Sequence, residues 1–156
     1  MINVLFVCLG NICRSPMAEA MFRELVKREE LEHEIHVDSA GTGDWHVGSP
    51  PHEGTRDILF KYNIDAAGLR ARQIRESDLH DFQYIVAMDA SNVKNIKSLA
   101  NGNSQVHIVK LLDYVDERLE KDVPDPYFTG DFEETYELVK IGCTNLLKEL
   151  RRKHNI

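Results

Sequence analysis

Two hydrophobic patterns alternate along the chain. "INVLFV" (2–7) is a short apolar run rich in β-branched and aromatic residues, and it predicts a buried strand. Over residues 15–30 the period changes. Met17, Met21 and Leu25 recur at i, i+4 and i+8 with Phe22 and Val26 beside them, which predicts a helix with one apolar face. Ser15 is placed to cap it and Pro16 suits its first turn. "EIHVDSAG" (34–41) predicts a second strand ending in a small-residue turn. The Gly and Pro content of "GDWHVGSPPHEG" marks a loop, and Ser49-Pro50-Pro51 then start a helix running to about Tyr62. "YIVAMD" (84–89) predicts a third strand buried on both faces. A helix over 91–100 follows, capped by Ser91 and broken by "NGNS"; "VHIVKLL" (106–112) predicts a fourth strand. "VPDPYFTGD" (123–131) is a proline-stiffened loop. The last predicted helix, 132–153, carries Phe132, Tyr136, Val139, Cys143, Leu146, Leu147 and Leu150 in one stripe, with "RRKH" at the negative end of its dipole.

Strands alternating with helices predict an α/β fold in which a parallel sheet is covered on both faces. A length of 156 residues suits one domain over 1–156. Sheets of this kind take ligands beyond the carboxyl ends of their strands, and Cys8, Ser39 and Asp89 all fall at such ends.

Composition narrows the function classes. A net charge of −7 argues against nucleic acid and against an anionic membrane as partner. No run of about 18 apolar residues exists to span a bilayer. The N-terminus lacks the basic flank, apolar stretch and cleavage site of a secretion signal. Cysteine occurs three times, at Cys8, Cys13 and Cys143, an odd number that suggests free thiols in a reducing compartment; a cytoplasmic location is expected.

The chemistry concentrates in Cys8-Leu9-Gly10-Asn11-Ile12-Cys13-Arg14-Ser15, between a predicted strand and a predicted helix N-terminus. Unpaired amides and the dipole favour an anion at such a junction. Gly10 and Asn11 accept left-handed backbone angles at least cost and would let successive N–H groups turn inward as a nest. Arg14 adds a planar fork of donors matched to phosphate oxygens. The Cys8 sulfur would lie at the base as a thiolate. Holding it so at neutral pH calls for about 4 kcal/mol of preference for the charged form. A helix dipole supplies at most ~2 kcal/mol, so inward amides, Arg14 and the Ser15 hydroxyl must contribute the rest. The GxxxxGK[ST], GxGxxG and CxxC patterns are absent, which sets aside nucleotide loops and a thioredoxin-like site.

With "DSAGT" (38–42), "AMDASN" (87–92) and "PDPYF" (124–128), this "CLGNICRSP" string resembles the low-molecular-weight protein tyrosine phosphatases over essentially the whole chain. The resemblance implies a flavodoxin-like three-layer sandwich with a four-stranded parallel sheet. It also implies hydrolysis of phosphotyrosine without metal or cofactor, through a cysteinyl-phosphate intermediate. It maps the general acid onto Asp125, between Pro124 and Pro126, where spacing alone leaves an ordinary turn equally open. It makes Cys13 a resolving thiol for oxidised Cys8. Asn11 and Ser39 resemble positions that brace the phosphate loop, and Leu69 stands where many members have a histidine.

Other expectations rest on residue type. Trp45, Tyr127 and Phe128, with Leu9, are expected to form a slot for a flat ring. Asp89 is expected either to support the site or to cap a helix. Cys143, on the apolar stripe, is expected in the core. His46 and His52 share a loop without an evident third ligand, so no metal is predicted. The expected partner is a phosphotyrosine protein or peptide, and the expected state a monomer. An arsenate reductase would need further redox cysteines late in the chain, and a phosphoarginine phosphatase resembles a loop with threonine where Ile12 stands.

Overall fold

The computed structural model describes residues 1–100 and 106–156; the expected "NGNS" break lies outside the described residues. Four strands, β1 (Ile2–Cys8), β2 (Ile35–Gly41), β3 (Tyr84–Ala87) and β4 (His107–Lys110), form one sheet in the order β2-β1-β3-β4. Every pairing is parallel. This is the doubly wound flavodoxin-like order, with its switch point beside β1. The register sets Cys8 opposite Gly41, so the nucleophile candidate stands at the carboxyl edge of the sheet.

Alternation along β1 divides the core in two. Val4, Phe6 and Cys8 face one layer, with Met17, Met21 and Phe22 of α1 (Arg14–Arg28), Leu59 of α2 (Glu53–Lys61) and Val139, Cys143 and Leu146 of α6 (Phe132–His154). Leu5 and Val7 face the other, with Leu79 of α3 (Asp78–Asp81) and Ile96 of α4 (Ala90–Ala100). Phe6 meets Phe22 edge-on at 5.5 Å, and each such buried side chain contributes about 1.5–3 kcal/mol of transfer energy. Cys143 is fully buried; burial pushes its thiol pKa up, and it remains a neutral packing group. Among the described residues no helix is long and apolar enough to cross a membrane.

Element ends depart from the sequence reading for local reasons. α1 begins at Arg14, and Ser15 does not cap it; its hydroxyl is engaged by Cys8. α2 begins only at Glu53, because residues preceding prolines avoid helical angles and Ser49-Pro50-Pro51 is such a run. His52 caps it through Nδ1, which accepts from Gly54 N at 2.9 Å. β3 ends at Ala87, where the Met88 and Asp89 amides turn to the Asn92 side chain. Asp89, not Ser91, accepts the Asn92 N–H at 2.8 Å as α4 starts. β4 stops at Lys110 and gives way to a 3-10 turn over Leu111–Tyr114. α3 is a single turn, too short to show a period. The 123–131 loop contains a further short helix, α5 (Pro126–Thr129), with Asp125 as its cap and Gly130 at φ 75° closing it.

Candidate active site

The loop from Cys8 to Ser15 has its carbonyls tied down and its amides left over. Thr42 N donates to Cys8 O, Gly43 N to Leu9 O and His52 N to Ile12 O, at 2.9, 2.9 and 2.7 Å. The Thr55 hydroxyl donates to Cys13 O at 3.0 Å. Across a trans peptide the next N–H points the opposite way from each carbonyl. The amides after these four carbonyls, on Leu9, Gly10, Cys13 and Arg14, are therefore directed to the loop's inner side. Among the described residues the amides of Gly10, Ile12 and Cys13 find no carbonyl partner. A ring of such donors at a helix N-terminus is an anion nest.

Only Asn11 takes the left-handed angle, at φ 57°; Gly10 does not. A Cβ on Gly10 would lie 3.1 Å from His46 Cδ2, so a larger residue there would need the His46 ring to give way by a few tenths of an ångström. Gly41 presses harder still, since a Cβ there would come within about 3 Å of Leu9 O, Gly10 C and Asn11 N.

The Cys8 sulfur lies 3.0 Å from Ser15 Oγ and accepts from Asn11 N at 3.3 Å. Asn11 Nδ2 donates to Ser15 Oγ (2.7 Å) and to Ser39 Oγ (3.0 Å), and Arg72 N fixes the amide by donating to Asn11 Oδ1 at 3.0 Å. Arg14 is 2% exposed. Its NH1 donates to Asp89 Oδ2 (2.7 Å) and Val123 O (2.9 Å), and its NH2 to Asp125 Oδ2 (3.2 Å). Its Nε is buried with no hydrogen-bond partner among the described residues. Asp89 divides its oxygens, one capping α4 and the other holding Arg14. Asp125 divides likewise, with Oδ1 accepting from Tyr127 N at 3.0 Å.

Burial, then the negative charges of Cys8 and Asp125, push the Cys13 pKa up to about 12, so Cys13 is a neutral thiol at physiological pH. Burial opposes the charge on Arg14, but Cys8, Asp89 and Asp125 together raise its pKa and keep it cationic.

Above the nest opens a cavity of about 380 Å³ whose lining includes Cys8, Leu9, Trp45, Asp125, Tyr127 and Phe128. Trp45, Tyr127 and Phe128 are 69%, 54% and 74% exposed, a concentration of aromatic surface that core packing does not explain. A larger cavity of about 530 Å³, lined by residues such as His80, Tyr84, His107 and Lys153, lies at the other end of β3 and β4, and among the described residues its lining includes no thiol.

The loop residues Cys8 to Ser15, together with Trp45, Asp89, Asp125, Tyr127 and Phe128, therefore lie in or against one place, with Ser39 reached through Asn11, while Cys143 and Leu69 lie in the core. Several participants were not singled out. Glu19 accepts from Ser39 Oγ at 2.6 Å. Arg72, clamped by Asp38 and Asp78 at 3.1 and 3.0 Å, anchors Asn11. His46 and His52, weighed in the sequence only as metal ligands, also belong here: His46 lines the cavity, and both face the Tyr127 ring, at 6.4 and 6.0 Å. Among the described residues no group of three or more His, Cys, Asp or Glu is placed to hold a metal. Leu69 is buried in the core and brings no polar group.

A thiol at the floor of an anion nest, with a carboxyl group at the rim, is equipped for nucleophilic displacement at a bound anion. Known proteins bear on which anion. The chain is 54% identical over 156 residues to "Low molecular weight protein-tyrosine-phosphatase YfkJ" of Bacillus subtilis, covering all of both chains. It is 49% identical to PtpA of Staphylococcus aureus, a protein of the same description, over 100% of this chain and 98% of that one. The crystal structure of the Bacillus protein superposes with a TM-score of 0.96 at 55% identity, over 98% of this chain and 96% of that one. The family model for low molecular weight phosphotyrosine protein phosphatase matches residues 3–156. A match that runs from β1 to the C-terminus takes in the Cys8–Ser15 loop, the aromatic cavity and the Asp125 loop together, and the chain belongs to the low molecular weight phosphotyrosine protein phosphatase family.

Proposed function

We propose that the protein hydrolyses phosphotyrosine in proteins or peptides without metal or cofactor, through a phosphate ester of Cys8. The observation that carries this reading is Arg14. Two of its nitrogens are spent on Asp89, Val123 and Asp125, yet its buried Nε has no partner, beside a loop of unpaired amides. A phosphoryl group supplies the acceptors that this set lacks.

In the first step the Cys8 thiolate attacks phosphorus in line. The S–P bond forms and the P–O bond to the tyrosyl oxygen breaks. Asp125, protonated at that moment, gives its proton to the departing phenolate. Inward amides and Arg14 hold the charge on the equatorial oxygens. In the second step Asp125, now a carboxylate, takes a proton from water as the water oxygen attacks phosphorus. The S–P bond breaks and inorganic phosphate leaves. Ser15 Oγ and Asn11 N, both on the sulfur in the resting structure, support the thiolate as it departs. Leu9, Trp45, Tyr127 and Phe128 hold the substrate ring. Cys13 serves as the resolving thiol when Cys8 is oxidised.

The test is hydrolysis of a phosphotyrosine peptide and of p-nitrophenyl phosphate in a chelator, by the parent and by Asp125→Asn. Asparagine is as good a helix cap as aspartate, so α5 and the Tyr127 N–H bond survive. The substitution is expected to lower kcat on phosphotyrosine by about 100-fold or more, and less on p-nitrophenyl phosphate, whose leaving group needs a proton less. Equal losses on both substrates would remove Asp125 as the acid, and a parent inactive in chelator would remove the whole reading.

Trp45 offers a second test through a neighbour that touches no substrate. A Cβ on Gly43 would lie 1.9 Å from Trp45 Cζ3, so Gly43→Ala must displace the indole. KM for aryl phosphates is expected to rise by about 3–10-fold with kcat within about two-fold, the pattern of lost uniform binding. Steady-state kinetics check this, and an unchanged KM would show that Trp45 is not a substrate wall.

A further inference from the structure

The hydrogen bonds around Cys8 have a direction that can be deduced atom by atom. Arg72 N donates to Asn11 Oδ1 at 3.0 Å, so the Asn11 amide nitrogen faces the two serines. Nδ2 gives one proton to Ser15 Oγ at 2.7 Å and the other to Ser39 Oγ at 3.0 Å. Each hydroxyl then accepts from Asn11 and has one proton of its own to place. Ser39 gives its proton to Glu19 Oε1 at 2.6 Å. Ser15 has the Cys8 sulfur at 3.0 Å and Ala40 O only at 3.5 Å. The shorter contact is the sulfur.

Glu19 stands at the far end of this chain. It is buried on α1, one helical turn beyond Ser15. Its other oxygen, Oε2, accepts from Arg23, whose side chain is half exposed. Two donors therefore converge on one carboxyl group, and only an ionised carboxylate offers an acceptor to each. We propose that Glu19 is a positioning residue for the nucleophile: its carboxylate fixes the direction of the Glu19–Ser39–Asn11–Ser15 chain so that the last hydroxyl donates to the Cys8 sulfur. Burial, with Asp38 adding to it, raises the Glu19 pKa, while the Ser39 and Arg23 donors act the other way and favour the ionised form. An amide at this position would turn its oxygen to Arg23 and its NH₂ to Ser39. Ser39 Oγ would then face two donors with no acceptor for its own proton, and its hold on Asn11 would loosen.

The inference rests on the reading of Cys8 as nucleophile, and its test reads the sulfur directly as well as turnover. Glu19→Gln, Arg23→Ala and the double variant are compared by aryl phosphate kinetics and by the rate of Cys8 carboxamidomethylation with iodoacetamide, followed by mass spectrometry just below neutral pH. Glu19→Gln is expected to lower both kcat and the alkylation rate by about tenfold, with KM within about two-fold, as for one lost hydrogen bond on the reacting atom. Arg23→Ala alone should stay within about two-fold of the parent, since the Ser39 hydroxyl still donates to Glu19 Oε1 and the half-exposed Arg23 side lets water take the place of the guanidinium on Oε2. The double variant is the decisive arm. Without Arg23 the glutamine can keep its oxygen on Ser39, and both rates should return to within about threefold of the parent. A role in stability alone predicts no rescue, and melting temperatures of the three variants record that separately. Parent-like rates in Glu19→Gln, or a double variant no faster than it, would overturn the proposal. Should the parent fail to hydrolyse aryl phosphates, the phosphatase reading falls while the alkylation rates still decide what Glu19 does to the sulfur.

Discussion

Cys8→Ser is expected to lower hydrolysis of phosphotyrosine and of aryl phosphates by on the order of 10⁴-fold or more, with the fold intact. The side chain is 3% exposed at the end of β1, and oxygen replaces sulfur there without adding a branch or an atom. What changes is the chemistry. A serine hydroxyl is a weak nucleophile unless an adjacent base takes its proton. The groups hydrogen-bonded to position 8 are a hydroxyl, Ser15 Oγ, and an N–H, Asn11 N, and neither is a general base. Neither can deprotonate a serine. The same amides and Arg14 remain, so inorganic phosphate should still bind, with an affinity within about tenfold of the parent. Three measurements check this together: turnover of a fluorogenic aryl phosphate, calorimetric titration with phosphate, and acid-quench trapping of labelled phosphoprotein. The parent should retain label on Cys8 and the variant should retain none. Turnover within tenfold of the parent would mean that another residue attacks phosphorus.

The loop that carries the proposed nucleophile was legible in the sequence because it is contiguous. Cys8 to Ser15 is one loop, and the strand before it and helix after it have clear periods. Residues that work through their backbone or across elements left weaker traces. Ser15 ahead of Pro16 carries a helix-capping signal, but its hydroxyl is within reach of Cys8 and is used there. Asp89 carries two readings because it has two oxygens, and both are used. Gly43 looks like any loop glycine; its reason is the indole two residues on. Glu19 gave one hint, an acid between Ala18 and Ala20 in a helix otherwise buried on every side there, and a buried acid needs donors. Which donors it finds depends on β2 lying beside α1, a fact no local pattern contains. The short helices α3 and α5 are one turn each, below the length at which periodicity can be seen.

Arg14→Lys, which keeps the positive charge, is expected to lower kcat/KM by about 10³-fold or more, because a single ammonium cannot replace the geometry that Arg14 supplies. The guanidinium faces three ways at once. NH1 joins the end of β3 to the acid loop by bonding Asp89 and Val123 O; NH2 holds Asp125; Nε is left for the ligand. Lysine places three protons around one nitrogen, and that nitrogen cannot reach Asp89, Asp125 and a phosphoryl oxygen together. If it pairs with Asp89, the phosphoryl group loses its fork and Asp125 loses its tether. If it turns to the phosphoryl group, Asp89 keeps a partly buried oxygen without its cation. Either way the loss falls on the transition state, where charge on the equatorial oxygens is greatest, so kcat should fall more than KM rises. Stability should fall too, since rearranging a buried guanidinium that pairs with two partly buried carboxylates costs about 1–3 kcal/mol, or about 3–10 °C in Tm for a chain of this length. Kinetics, phosphate titration and thermal melting on one preparation separate the two effects. A lysine variant that melts lower but turns over within tenfold of the parent would confine Arg14 to holding the loops together, and the unpaired Nε would then need another explanation.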